Sequence, residues 1–227
     1  MRSAWNDMKG ATTGSHDMNP ISDAGAGSQL PSNQIERWHS GDGTPMTMRP
    51  IRPQDAPALK SMIEGLQPHD RHRRFHGTIN GVSTKQLVNM VCVDQQHQLA
   101  LVVTARLPCS EPVVADARYV VNHRGDCAEF AIVVASGWQR RGIGSRAISA
   151  LLRAASRGGL RWLRGSVQPD NAPMLALMRA CGFACTQSPD DRSLVSAETH
   201  VPTCHAAPAN DMRAAWRGRS DSWTQFW

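Results

Sequence analysis

The residues of this chain best suited to chemistry lie together between Glu129 and Ser145, which read E-F-A-I-V-V-A-S-G-W-Q-R-R-G-I-G-S. One carboxylate sits inside an apolar run. The run ends in a turn, followed by two arginines and two glycines. A strand that opens through such a turn into a helix offers several free backbone N–H groups to one spot, and the helix dipole adds positive potential there. The backbone of Gln139, Arg140, Arg141, Gly142, Ile143, Gly144 and Ser145 can therefore surround a pyrophosphate. Gly142 and Gly144 let the chain approach it closely, and Arg140 and Arg141 add side-chain charge. Glu129, partly desolvated by its apolar neighbours, is the candidate proton acceptor.

The elements that must position these residues follow from pattern. Residues 1–44 are rich in Gly, Ser, Asn, Asp and Thr without a period of two or 3.6, and read as a disordered leader that includes Trp5 and Trp38. An ordered domain is expected over 45–201, with a flexible tail over 202–227. Met46–Arg52 reads as an edge strand, because Pro50 cannot donate to a ladder. Asp55 precedes a helix with Leu59, Met62, Ile63 and Leu66 inward. His69–His76 packs three histidines and three arginines into eight positions and reads as a solvated basic helix end. A helix over Thr84–Val93 should turn Leu87, Val88 and Val91 inward. Strands over Leu99–Ala105, Val113–Val121 and Cys127–Ala135 form an antiparallel meander. From Ile143 the apolar positions 143, 147, 148, 151, 152 and 155 have helical spacing, ended by Gly158-Gly159. A strand over Leu160–Val167, a helix capped by Asp170 or Asn171, and a hairpin of Phe183–Gln187 with Ser193–Val201 complete the domain. The fold class is α+β, a mixed and mostly antiparallel sheet flanked by helices.

Composition narrows the partners. The chain has 227 residues and a net charge of +6, which favours anionic ligands. Nucleic acid is disfavoured, since no basic stretch is interleaved with aromatics. The six cysteines include one close pair, Cys181 and Cys185, with no second pair to complete a zinc site. They read as buried small hydrophobes, and no metal is expected. No run approaches the length of a membrane span, and no signal-peptide core follows Met1. The expected compartment is the cytoplasm.

At this point the order of elements is similar to that of a known family. Q-R-R-G-I-G at 139–144 resembles the Q/R-x-x-G-x-G/A loop of the GNAT family of N-acetyltransferases. Asn171 and the helix ending in Cys181-Gly182-Phe183 resemble that family's second cofactor segment. R-P-I-R-P-Q-D at 49–55, A-R-Y-V at 117–120, A-E-F-A-I-V-V at 128–134 and S-P-D-D at 188–191 resemble the bacterial protein-lysine acetyltransferases that modify acyl-CoA synthetases. The resemblance covers roughly 45–201. It implies an acetyl-CoA donor and an α/β three-layer fold with two splayed parallel strands. Ile132, Val133 and Val134 would pair with the pantetheine arm, and Asn171 would lie near the same cofactor. It also implies a protein acceptor such as an acyl-CoA synthetase, and Glu129 as general base, with the oxyanion donor a backbone N–H near Val134. Many members carry a tyrosine four residues before the last helix's terminal glycine to protonate the leaving thiolate. Here that place is Met178, and the lone Tyr119 lies on another strand. A small amine as acceptor (a polyamine, amino acid or drug) and a non-catalytic acyl-CoA-sensing module are the alternative readings.

Overall fold

Among the described residues, strands whose central members are buried on both faces build an eight-stranded sheet in the order β1-β2-β3-β4-β5-β6-β8-β7. The computed structural model describes residues 35–75, 81–94, 97–189 and 191–202. The strands are β1 Glu36–His39, β2 Pro45–Pro50, β3 Gln98–Ala105, β4 Val113–Val121, β5 Cys127–Val134, β6 Trp162–Val167, β7 Ala184–Gln187 and β8 Val195–His200. The helices are α1 Ala56–Glu64, α2 Pro68–Phe75, α3 Thr84–Val91, α4 Ile143–Arg157 and α5 Ala172–Ala180. Neighbouring strands run antiparallel except β5 and β6, which are parallel and connected through α4. Parallel pairing requires such a crossover, and a second departure from the meander follows it, since β6 pairs with β8 and β7 takes the outer edge.

The sheet is apolar on both faces, and helices cover each. Met46, Met48, Leu101, Val103, Tyr119 and Phe130 pack with Ile143, Ile148 and Leu151 of α4 and with Leu175 and Met178 of α5. On the opposite face Ala100, Val102, Val113 and Val133 meet Leu59, Met62 and Ile63 of α1 and Met90 and Val91 of α3. Three layers, helix on sheet on helix, result.

One ionic group is built into this second face. Asp116 of β4 is fully buried and accepts from Arg118 Nε at 3.0 Å and Nη2 at 2.6 Å, and from Arg74 Nη2 of α2 at 3.4 Å. Arg118 Nη1 also donates to the Met90 carbonyl at 3.2 Å. Burial alone would raise the Asp116 pKa, but the two guanidiniums hold it below the ordinary carboxylate range. Burial lowers Arg74 to about 10, opposed by Asp116. The group ties α2 and α3 to the sheet centre.

Four expectations are corrected. The stretch 1–44 is not irregular throughout: Glu36–His39 adds an edge strand to β2, and the Trp38 ring packs on the α4 side of the core. In α3, Val88 is 49% exposed and Met90 is buried in its stead, because α3 turns a different arc inward. The arginines of the basic helix are not free in solvent. Arg71 donates to the Leu66 carbonyl, Arg73 pairs with Asp170 and Arg74 is buried; His69 and His72 are the exposed members, and His76 lies outside the described residues. Of the cysteines, Cys92 and Cys109 are exposed and Cys127, Cys181 and Cys185 half-buried, all free thiols; Cys204, Trp5 and the tail from 203 lie outside the described residues.

Candidate active site

The site begins where β5 and β6 part. Their parallel register runs through Cys127–Trp162, Ala128–Leu163 and Glu129–Arg164, and stops there, while β5 continues beside β4 as far as Val134. The cause is visible just beyond the last pair. Phe130 points into the α4–α5 core at the level of Gly165, where a Cβ would come within 2.6 Å of its ring. Its ring also meets Phe183 edge-on at 5.3 Å. A large ring opposite a residue without a side chain fills the wedge between the diverging strands.

Past the split, one side of β5 has open backbone. Ala135 N–H donates to the Val114 carbonyl on β4 at 2.9 Å. Strand alternation then turns the N–H and C=O of Ile132 and Val134 toward the opening, and those of Val133 toward β4. The Val133 side chain also lies in the core under α1 and α3. Of the three β5 residues expected to meet a pantetheine arm, two have backbone facing the opening and Val133 faces away.

The basic loop adopts the geometry its glycines allow. Gly142 is left-handed at φ +76°, and Arg140 is the one non-glycine residue with positive φ among those described, at +58°. Alternating hand along a short segment curls successive N–H groups into a concave anion nest, and a strained non-glycine residue there suits a functional loop. The first turn of α4 adds the N–H groups of Ile143, Gly144 and Ser145, since the first helical bond runs from Arg146 N–H to the Gly142 carbonyl. The second glycine has a different cause from the first. A Cβ on Gly144 would lie 2.9 Å from Leu177 Cδ2 of α5, so it admits close helix packing at the mouth of the site.

Helix α2 braces both sides of the opening. Asp70 accepts from Ser136 Oγ at 2.6 Å and Gln139 Nε2 at 3.0 Å, and Gln139 Nε2 also donates to the Val134 carbonyl at 3.2 Å. Arg73 donates to the Asp170 carboxylate at 3.1 Å and to its backbone carbonyl at 3.2 Å. Asp170 precedes Asn171, whose side chain caps α5 by accepting from Met174 N–H at 3.3 Å. The loop after β5 and the loop after β6 are thus tied to one short helix. Arg141 stacks over the Trp138 ring at 4.6 Å and pairs with Asp42 of the β1–β2 turn. Arg146 and Arg153 of α4 both reach Glu36 of β1. Arg140 is exposed.

Glu129 lies at the other end of the split, facing the α2 side of the sheet. It lines a cavity of about 460 Å³ with Asn122, Asp126, Arg164, Ser196 and Glu198. Burial raises the Glu129 pKa above its ordinary value, and the Arg164 charge opposes the rise. A half-buried carboxylate of raised pKa beside a cavity is a better proton acceptor than an ordinary one. Met178 is fully buried in the core. Tyr119 is equally enclosed, and burial pushes its phenol pKa up. Neither reaches the cavity, and among the described residues no group of three or more His, Cys, Asp or Glu stands together as a metal site.

Sequence reasoning missed Asp70, Arg73, Arg164 and Glu198. The last two carry a signal in strand alternation, since W-L-R-G-S-V and V-S-A-E-T-H put their charged residues on one face. Asp70 carries none, because its partners are more than sixty residues away.

Comparison with known proteins agrees with this geometry. The family profile described as "Acetyltransferase (GNAT) domain" matches residues 46–184, more than half of the chain. Acetyltransferase PA5475 of Pseudomonas aeruginosa is 28% identical over 181 residues, spanning 78% of this chain and 97% of that protein. Acetyltransferase Pat of Mycolicibacterium smegmatis is 28% identical over 71% of this chain, which spans 47% of that longer protein. Among solved structures, the GNAT domain of S. lividans PAT superposes with a TM-score of 0.67 at 24% identity, covering 75% of this chain and 98% of that one. The yncA protein of Salmonella typhimurium, solved with acetyl-CoA, has the same fold at a TM-score of 0.53 and 19% identity, covering 72% and 98%. With its splayed parallel strands and the glycine loop that opens α4, the chain belongs to the GNAT family of acetyltransferases.

Proposed function

We propose that this acetyltransferase transfers an acetyl group from acetyl-CoA to the side-chain amine of a protein lysine, with Glu129 as general base. The observation that carries the reading is the position of Glu129: the last residue of β5 still paired with β6, half-buried, and lining a cavity with Arg164, Ser166 and Glu198. An amine attacking a thioester must lose a proton, directly or through a water, to a group whose pKa lies near the working pH. Burial moves Glu129 in that direction.

The residues fit the donor. The nest and helix start at Gln139, Arg140, Arg141, Gly142, Ile143, Gly144 and Ser145 suit the pyrophosphate. The open backbone of Ile132 and the N–H of Val134 suit the pantetheine amides, and Asn171 begins the helix on the far side. With Met178 in the core, no side chain is assigned to protonate the leaving thiolate, which has a pKa low enough to depart unaided (about 8.5 for a free thiol). A protein acceptor such as an acyl-CoA synthetase is inferred from the resemblance in 49–55, 117–120, 128–134 and 188–191. The free thiols agree with work in a reducing cytoplasm.

Glu129→Gln tests the base: turnover should fall roughly 10²–10⁴-fold while acetyl-CoA binding, followed by calorimetry, stays the same. Unchanged turnover rejects the role. Radiolabelled acetyl-CoA incubated with lysate, followed by mass spectrometry, tests the acceptor. Label confined to small molecules turns the reading to an amine acetyltransferase. Binding of acetyl-CoA with no label anywhere turns it to a sensing module, the reading that the buried Met178 favours.

A further inference from the structure

Three charged side chains stand in one row across three adjacent strands. Glu129 on β5 is in register with Arg164 on β6, and Arg164 is in register with Glu198 on β8. Their chain neighbours Phe130, Gly165 and Ala197 face the core on the other side, so the three charges share the cavity face. Cross-strand neighbours in register stand about 5 Å apart at Cβ, within reach of a guanidinium on either hand. Arg164 therefore has two carboxylates to choose between, and it bonds one of them: its Nε donates to Glu198 Oε1 at 2.8 Å. That oxygen is held from a second side by the buried Ser196, whose Oγ donates to it at 3.0 Å.

We propose that Glu198 is a positioning residue for the reaction: it keeps the Arg164 guanidinium from closing an ion pair with Glu129, and so leaves that carboxylate open to the incoming amine. The proposal rests on the reading of Glu129 as base. A carboxylate in a full ion pair has its lone pairs committed and its proton affinity reduced. With Glu198 and Ser196 holding the guanidinium on the β8 side, Glu129 receives the Arg164 charge at a distance. The other titratable or charged groups around the cavity are His123 and Arg124 of the β4–β5 turn, and Asp126 and Cys127 at the start of β5. Arg164 is the charge that acts most on the Glu129 carboxyl besides its burial.

The test is the pH dependence of kcat/KM in Glu198→Gln, Arg164→Met and the double variant, each first checked for folding by circular dichroism. In Glu198→Gln the acid limb should move down by about one pH unit or more, with a lower plateau, as Arg164 swings to Glu129. In Arg164→Met it should move up. The double variant should follow Arg164→Met, and the KM for acetyl-CoA should stay unchanged in all three. A merely structural role for Glu198 would lower activity without moving the limb. An unmoved limb in folded Glu198→Gln, or a double variant that still shifts down, overturns the proposal. Glu129→Gln separates the two ideas. If it retains full turnover the base reading falls; if it is inactive while Glu198→Gln keeps the wild-type limb, the positioning role alone falls.

Discussion

Phe130 occupies the place that a side chain on Gly165 would take: a Cβ at 165 would lie 2.6 Å from Phe130 Cζ and 2.7 Å from Cε1. The ring belongs to β5 and the glycine to β6, on the first residues beyond the last parallel pair. Gly165→Ala should therefore cost about 1–3 kcal/mol by overpacking, read from urea unfolding. It should also raise the KM for acetyl-CoA, because the ring can relieve the clash only by moving within the wedge. A variant as stable as the parent would show that the ring does not set the opening.

Asp70 joins α2 to the loop that follows β5. Asp70→Ala removes the acceptor for Ser136 Oγ and Gln139 Nε2, and hydrogen bonds to a charged acceptor are worth about 1.5–3 kcal/mol. The loop should loosen and the acetyl-CoA KM rise roughly tenfold, with a smaller change in kcat. Steady-state kinetics at saturating acceptor would measure it.

Arg141 is shared between Asp42 and the face of Trp138. Asp42→Asn should free the guanidinium for a phosphate. An exposed ion pair is weak and screened by salt, so acetyl-CoA should bind only about two- to fourfold more tightly. The gain should shrink with added salt, as calorimetry at two ionic strengths would show.

Asp116 is buried between Arg118 and Arg74. Asp116→Asn leaves two enclosed guanidiniums without their counter-charge and should cost about 3–5 kcal/mol. The folded-state pKa of Asp116 lies below its unfolded value. Its contribution to stability is therefore present above the unfolded pKa, about 3.9, and is lost as pH falls through the folded value. Denaturation midpoints measured from neutral to acid pH should fall less steeply in Asp116→Asn than in the parent.

The parts of the fold that were legible in sequence are those in which local pattern and burial agree. The β4 run V-V-A-D-A-R-Y-V-V and the α4 repeat from Ile143 have one reading each, and the glycine loop between strand and helix needs no distant partner to be recognised. Glu36–His39 was not legible: E-R-W-H has no alternating apolar face, and it pairs because β2 offers an edge and Trp38 finds the core. Val88 misled because three apolar residues crowd one turn of α3, and α1 and the sheet cover only part of that arc. The row Glu129–Arg164–Glu198 depends on strand register across a crossover, which spacing along the chain does not encode. Asp70 and Arg73 are hidden for the same reason, since both of their targets are distant in sequence.

The two ties of α2 leave from residues three apart, Asp70 to Ser136 and Gln139, Arg73 to Asp170. Less than one helical turn, a rise of about 4.5 Å, therefore acts as a gauge for the separation of the two loops that flank the split. A gauge of this kind is sensitive to phase rather than to side-chain chemistry. One residue inserted between Asp70 and Arg73 would swing Arg73 by about 100°, so that only one loop could be gripped at a time, whereas Arg73→Lys would keep the spacing and still offer one nitrogen, as Arg73 Nη2 does to both Asp170 oxygens.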